Sequence, residues 1–149
     1  MTINKLHIKY AKRHPNAVIP SHAKPGDAGV DLTATEISWD NETQTYVVSF
    51  GLSIELPEGT YAEIVPRSSI YKYNHLLTNS VGIIDSGYRG VIGARFTKRV
   101  ASGLPEFKVG ERVAQLIVKP YYEQFTVEVP YESMSTTERN QGGFGSSGS

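Results

Sequence analysis

None of the 149 residues is cysteine. That excludes a disulfide framework and a thiolate zinc site, and it agrees with a reducing compartment. Net charge is missing as well: 15 lysines and arginines balance 15 aspartates and glutamates. No global field therefore draws the chain to nucleic acid or an anionic membrane surface, and any anion it binds must be held by a local site. The four histidines (His7, His14, His22, His75) show no metal-ligand spacing and read as surface or loop residues. The first twenty residues contain no apolar run of signal-peptide length, and no later stretch approaches a membrane span. The expected location is cytoplasmic. Helical periodicity is poor everywhere, and no internal repeat is evident.

What the chain does have is short β-branched or aromatic runs between glycine, proline and asparagine, as in "TYVVSFGLSIELPEGTYAEIVP" at 45–66. The length suits one domain with a core of its own. Pro57 to Thr60, "PEGT", forms a turn between two strands, since proline presets one dihedral and glycine accepts positive φ. Further strands are expected at 6–10, 29–33, 76–84, 88–96, 112–118 and 126–129, with one short helical turn in "SSIYKYN" at 68–74. Many short strands so spaced predict an all-β sandwich, jelly roll or small barrel. The last fifteen residues, "STTERNQGGFGSSGS", cannot pack a core. The division expected is a β domain at 1–134 and a flexible C-terminal arm at 135–149.

Chemistry concentrates in a few stretches. In "GIIDSGYRG" at 82–90, an aspartate, a tyrosine, an arginine and three glycines share nine positions. Residues 81–85 and 88–92 read as a hairpin turning at Ser86 and Gly87, with Asp85 and Tyr88 flanking the turn. Gly82 and Gly90 weaken a sheet; they either let a ligand approach the backbone or merely mark bulges. "PGDAGVDL" at 25–32 sets Asp27 and Asp31 in a loop leading into a strand, and "PRSSI" at 66–70 offers an arginine and two hydroxyls to phosphate oxygens. In "GERVAQLIV" at 110–118, Val113, Gln115 and Ile117 share one face. The amide of Gln115 must then satisfy backbone groups or reach a ligand. Phe144, an aromatic among Gly142, Gly143 and Gly145, suits a segment that lays a ring on a flat ligand.

Taken in order, "AGVDL", "PRSSI", "NSVGIIDSGYRG", "GERVAQLI" and "RNQGGFGSSG" resemble the five motifs of the trimeric dUTP diphosphatase (dUTPase) family, from Asp27 to Gly148. Each motif alone is weak; five in order are specific. The resemblance implies a β jelly roll of the β-clip type, assembled as a homotrimer with active sites at subunit interfaces. It implies hydrolysis of dUTP to dUMP and pyrophosphate, an activity that limits uracil in DNA and supplies dUMP for dTTP synthesis. Asp85 would orient and deprotonate the water that attacks the α-phosphorus, a task suited to a carboxylate. Asn79 and the main chain of Gly82, Ile83, Ile84 and Asp85 would read the uracil edge. Tyr88 would lie under the deoxyribose and leave no room for a 2′-hydroxyl. Arg67, Ser68, Ser69 and Gln115 would hold the triphosphate, joined by Arg139, Gly145, Ser146 and Ser147 of the arm, with Phe144 stacked on the base. Magnesium is the implied cofactor, with Asp31 acting on it through water.

Two departures from the family pattern stand out: Asn140 replaces the glycine usual after the arm's arginine, and Ser69 the glycine of many members. A dCTP deaminase-like enzyme shares the implied fold, but the glycine-phenylalanine arm and Tyr88 weigh against it. A nucleotide-responsive regulatory trimer is the non-enzymatic alternative, although the residues imply no protein partner for it. A nucleic-acid-binding barrel is disfavoured, because aromatics are not interleaved with a basic stripe.

Overall fold

A computed structural model of the chain describes residues 5–99 and 103–146. Ten strands, β1 (Lys9–Lys12), β2 (Val30–Thr33), β3 (Glu36–Asp40), β4 (Thr45–Ser49), β5 (Leu52–Glu55), β6 (Thr60–Val65), β7 (His75–Leu77), β8 (Gly82–Ile84), β9 (Gly93–Lys98) and β10 (Arg112–Pro120), are joined by loops and two 3₁₀ turns, Ser68–Lys72 and Tyr131–Ser133. No α-helix occurs among the described residues. The expected all-β jelly roll is the observed architecture. One sheet has the order β2-β10-β6-β8, a second β3-β4-β9-β7, and β1 pairs with β5 in a two-stranded ribbon; every pairing is antiparallel.

The sequence pattern explains the core. Along β6 the residues alternate, with Thr60, Ala62 and Ile64 buried and Tyr61, Glu63 and Val65 half-buried, the period-2 signature of a strand with one face inward. Leu32, Phe50, Leu52, Ile54, Phe96, Val113 and Leu116 fill the space between the sheets, each contributing roughly 1.5–3 kcal/mol by leaving water. The turn at Pro57 forms as its residues dictate: Gly59 takes φ 77° and the Thr60 N–H donates to the Pro57 carbonyl at 3.2 Å. The helical turn expected near 68–74 is the 3₁₀ turn Ser68–Lys72.

Several expectations give way. Residues 82–84 pair with β6 (Ile64↔Gly82, Ala62↔Ile84) and not with 88–92, so the supposed hairpin is a strand followed by a loop, and the next strand starts at Gly93. The run 76–84 is two strands in different sheets, broken by a turn where Ser80 adopts φ 62°. The stretch 126–129 forms no strand: no strand among the described residues pairs with it. β3, unforeseen, pairs in register with β4 from Glu36↔Ser49 to Asp40↔Thr45. His75 is not a surface residue: it is 1 % exposed, stacked on Phe107 at 4.2 Å, and accepts the Phe107 N–H at Nε2 (2.9 Å).

Candidate active site

The sheet β2-β10-β6-β8 positions two groups of polar residues. The first surrounds a cavity of about 220 Å³ lined by Ile64, Asn79, Gly82, Ile83, Ile84, Asp85, Tyr88 and Ile92, among others. As the last strand of its sheet, β8 turns one edge of its main chain away from the ladder, which leaves peptide groups available to a planar, edge-reading ligand. Asp85 follows immediately and is exposed. The Tyr88 N–H donates to the Asp85 carbonyl at 3.1 Å, closing a turn across Ser86 and Gly87.

The loop after that turn is closely fastened. Tyr88 Oη donates to the Val91 carbonyl (3.2 Å), and the Arg89 guanidinium donates to the carbonyls of Ser86 (2.7 Å) and Tyr88 (3.1 Å). Arg89, conspicuous in the sequence, thus serves its own loop. Gly90 makes room for the Tyr88 ring: a Cβ there would collide with Tyr88 Oη. A Cβ at Gly82 would meet only ordinary contacts with Ile64 and Asn79.

The second group lies across β10 and β2, in a depression of about 480 Å³ lined by Asp27, Gly29, Asp31, Arg67, Ser68, Arg112 and Gln115, among others. Antiparallel pairing of β10 with β2 sets Gln115 opposite Asp31. The Asp31 carboxylate bridges two arginines, accepting from Arg67 Nε at 2.8 Å and Arg112 Nη1 at 3.2 Å. Arg67 also donates to the Arg112 carbonyl (3.2 Å) and reaches Ser69 Oγ at 3.4 Å. Gln115 donates from Nε2 to the Pro66 carbonyl at 3.0 Å, so its amide nitrogen serves the backbone while its side chain still lines the depression. Gly29 makes room for it: a Cβ there would lie 2.5 Å from Gln115 Oε1. Two guanidiniums around one carboxylate, beside hydroxyls, form a cationic cradle suited to phosphate oxygens. Arg112 was not singled out in the sequence; its one signal is its place at the start of the strand that carries Gln115.

The arm residues stand apart. Arg139 Nε donates to the Gly142 carbonyl (2.8 Å), the Asn140 N–H to Thr137 Oγ1 (3.0 Å) and Gln141 Nε2 to Tyr131 Oη (3.1 Å). Asn140 sits at φ 47°, where asparagine substitutes for glycine most readily. Phe144 is fully exposed, at φ 51°, and is followed by Gly145 at φ 83°. Arg139 and Ser146 line a shallow depression of the arm itself, and Ser147 lies outside the described residues. Within one chain, then, the structure groups Asn79, Gly82, Ile83, Ile84, Asp85 and Tyr88 in one place and Asp31, Arg67, Ser68, Ser69 and Gln115 in another. It joins Arg139, Phe144, Gly145 and Ser146 to neither.

No cluster of three or more histidine, aspartate or glutamate side chains able to hold a metal ion occurs among the described residues.

Comparison with known proteins gives the family of the chain. The family model "dUTPase" matches residues 15–148. A deoxyuridine 5'-triphosphate nucleotidohydrolase of Crocosphaera subtropica is 40% identical over 146 residues, covering 96% of this chain and 99% of the relative. Another, from Clostridium tetani, is 39% identical over 151 residues, with 99% of each chain covered. Among solved structures, the dUTPase of Staphylococcus bacteriophage 80alpha with dUPNHPP superposes with a TM-score of 0.79 at 24% identity, over 96% of this chain and 99% of that one.

Proposed function

The chain belongs to the dUTPase family, and on that footing we propose that it hydrolyses dUTP to dUMP and pyrophosphate. The observation that carries the reading is the join of an open strand edge, β8, to Asp85 and a fastened Tyr88 around one small cavity. A uracil edge bonds main-chain groups of Gly82, Ile83 and Ile84 and the Asn79 amide; cytosine, with donor and acceptor exchanged, leaves those groups unpaired and is rejected. Tyr88, its ring seated against Gly90, occupies the space a 2′-hydroxyl would need.

The cavity is smaller than the roughly 300–1,000 Å³ of a complete small-molecule site, so it takes the nucleoside and leaves the triphosphate to other groups. Arg67, Ser68, Ser69, Arg112 and Gln115 supply them, and cations and donors placed where charge develops stabilise the transition state. Asp85 accepts a proton from water as the water's oxygen bonds the α-phosphorus; the bond to the bridging oxygen breaks and pyrophosphate leaves. The arm closes over the nucleotide, bringing Phe144 to the base and Arg139, Gly145, Ser146 and Ser147 to the phosphates.

Magnesium fits this site as a passenger of the triphosphate: among the described residues no cluster of acidic or histidine side chains offers it a cage, and Asp31, with lone pairs beyond those given to its arginines, would reach it through water. When bound, the ion neutralises phosphate charge and orients the chain of phosphates. A homotrimer is the proposed assembly. It would complete the site by bringing the two residue groups of different copies together, and it would cover Tyr122, Phe125 and Val127, which are 78–92 % exposed on the extended segment after β10.

The test is pyrophosphate release from dUTP beside dTTP, dCTP and UTP, with magnesium and then with a chelator, while ammonia is monitored. Magnesium-dependent release from dUTP alone is expected. Ammonia with the triphosphate intact would replace the reading with a deaminase, and nucleotide binding without either product would leave a regulatory trimer.

A further inference from the structure

Among the described residues, the loop that carries Tyr88 is hydrogen-bonded by one side chain from elsewhere in the fold. Ser53, on β5, is 8 % exposed, and its Oγ lies 2.9 Å from the Arg89 carbonyl and 3.1 Å from the Gly90 carbonyl. Arg13 Nη1 donates to the same Oγ at 3.1 Å. A hydroxyl has one proton. With Arg13 occupying a lone pair, that proton is turned toward the loop and shared between the two carbonyls. The main chain fixes the loop's two ends, where Ile84 of β8 pairs with Ala62 of β6 and where the Ile92 N–H donates to Leu52 (2.8 Å) and the Phe50 N–H donates to Ile92 (3.1 Å). Between Asp85 and Ile92, the loop's other described side-chain bonds are internal, made by Arg89 and Tyr88 themselves.

Gly90 is the residue on which the Tyr88 ring rests, with no room even for a methyl group. Whatever fixes the 89–90 peptide therefore fixes how far the ring can withdraw. We propose that Ser53, oriented by Arg13, is a positioning residue that sets discrimination against the 2′-hydroxyl by holding Gly90 under Tyr88. This rests on the proposed hydrolysis of dUTP. Asp85 stands on the other side of the turn, next to a strand paired with β6, so the chemical step is insulated from this clamp while sugar selection is not.

Ser53→Ala removes the clamp. The ratio of kcat/KM for dUTP over UTP should fall about fivefold, the worth of one ordinary hydrogen bond, through a lower KM for UTP, with kcat for dUTP within about twofold of the parent. Ser53→Thr, which keeps the hydroxyl, should restore the ratio. Arg13→Met, at an exposed position, should lower it about twofold and guards against a Ser53→Ala protein that fails to fold. An unchanged ratio in the folded variants, or an equal loss for both nucleotides, overturns the proposal. If the parent protein does not hydrolyse dUTP, the functional reading fails by itself. Amide exchange at residues 88–91 then tests the clamp: faster exchange in Ser53→Ala upholds it, and unchanged exchange overturns it.

Discussion

Two glycine-rich stretches, residues 82–90 and 139–145, look alike in sequence and differ in the fold. The first begins as a strand paired with β6, and its loop is tied to β5 through Ser53 and Leu52. The second bonds only within its own neighbourhood, from Tyr131 to Ser146, among the described residues, and its aromatic ring is wholly in solvent. The first is a preformed pocket wall; the second is the segment that the proposed function has a ligand order. On the proposed function, recognition is divided: the rigid part would select base and sugar without a conformational cost at binding, and the arm would contribute contacts that exist only once the nucleotide is there.

The sharpest way to test that division is to remove the chemistry from the rigid part. Asp85→Asn should lower kcat about 10³-fold, within the range of general-base loss, while calorimetry shows dUTP still bound; turnover near the parent rate would remove Asp85 from its role. Arg67→Ala, which removes one of the two guanidiniums of the phosphate cradle, should cost about 10²-fold in kcat/KM. Phe144→Ala should weaken nucleotide binding about tenfold, as loss of one base-stacking ring does, and leave the melting temperature of the free protein unmoved. A drop in melting temperature would mean that the ring already packs on the body.

The same substitution made in each stretch compares them directly. Gly90→Ala drives a Cβ into Tyr88 and should cost about 1–3 kcal/mol of stability, as overpacking does, whereas a Cβ at Gly143 meets nothing within 4 Å and Gly143→Ala should be silent in the free protein. Paired thermal melts of the two variants read this.

The smallest effect expected lies behind the rigid part. His75 accepts the Phe107 N–H at Nε2, so its proton is on Nδ1, which is buried with no hydrogen-bond partner. Burial holds its pKa below the usual 6.5, against the pull of Glu106 and with a small push from Lys98. Because the folded value lies below the unfolded one, the stability tied to the neutral ring is complete above about pH 6.5 and is lost as pH falls through the folded value. Melting temperature should be lower at pH 5 than at pH 7, and His75→Gln should remove that part of the slope.

How much of this was legible in the sequence depended on locality. Strands with strong alternation, such as β6 and β10, and turns with their own chemistry, such as Pro57 to Thr60, could be read from neighbouring residues. Partner choice could not: the pairing of Gly82–Ile84 with β6 is decided by Ala62 and Ile64, some twenty residues earlier. β3 was missed because "EISWD" alternates weakly, and its hairpin is closed by the Asp40 side chain accepting the Glu42 and Thr43 N–H groups, not by glycine. The proposed site residues could be picked out through motif order, while Arg112 and Ser53 could not, since their partners are carbonyls or carboxylates that only the folded sheet brings near.

Amide hydrogen exchange of residues 82–92 and 137–146, with magnesium and with or without a non-hydrolysable imido analogue of dUTP, puts the division of labour to the test most directly. The account predicts that 82–92 is protected before the analogue is added and that 137–146 gains protection only with it. Equal gains in both stretches, or an arm already protected in the free protein, would contradict it.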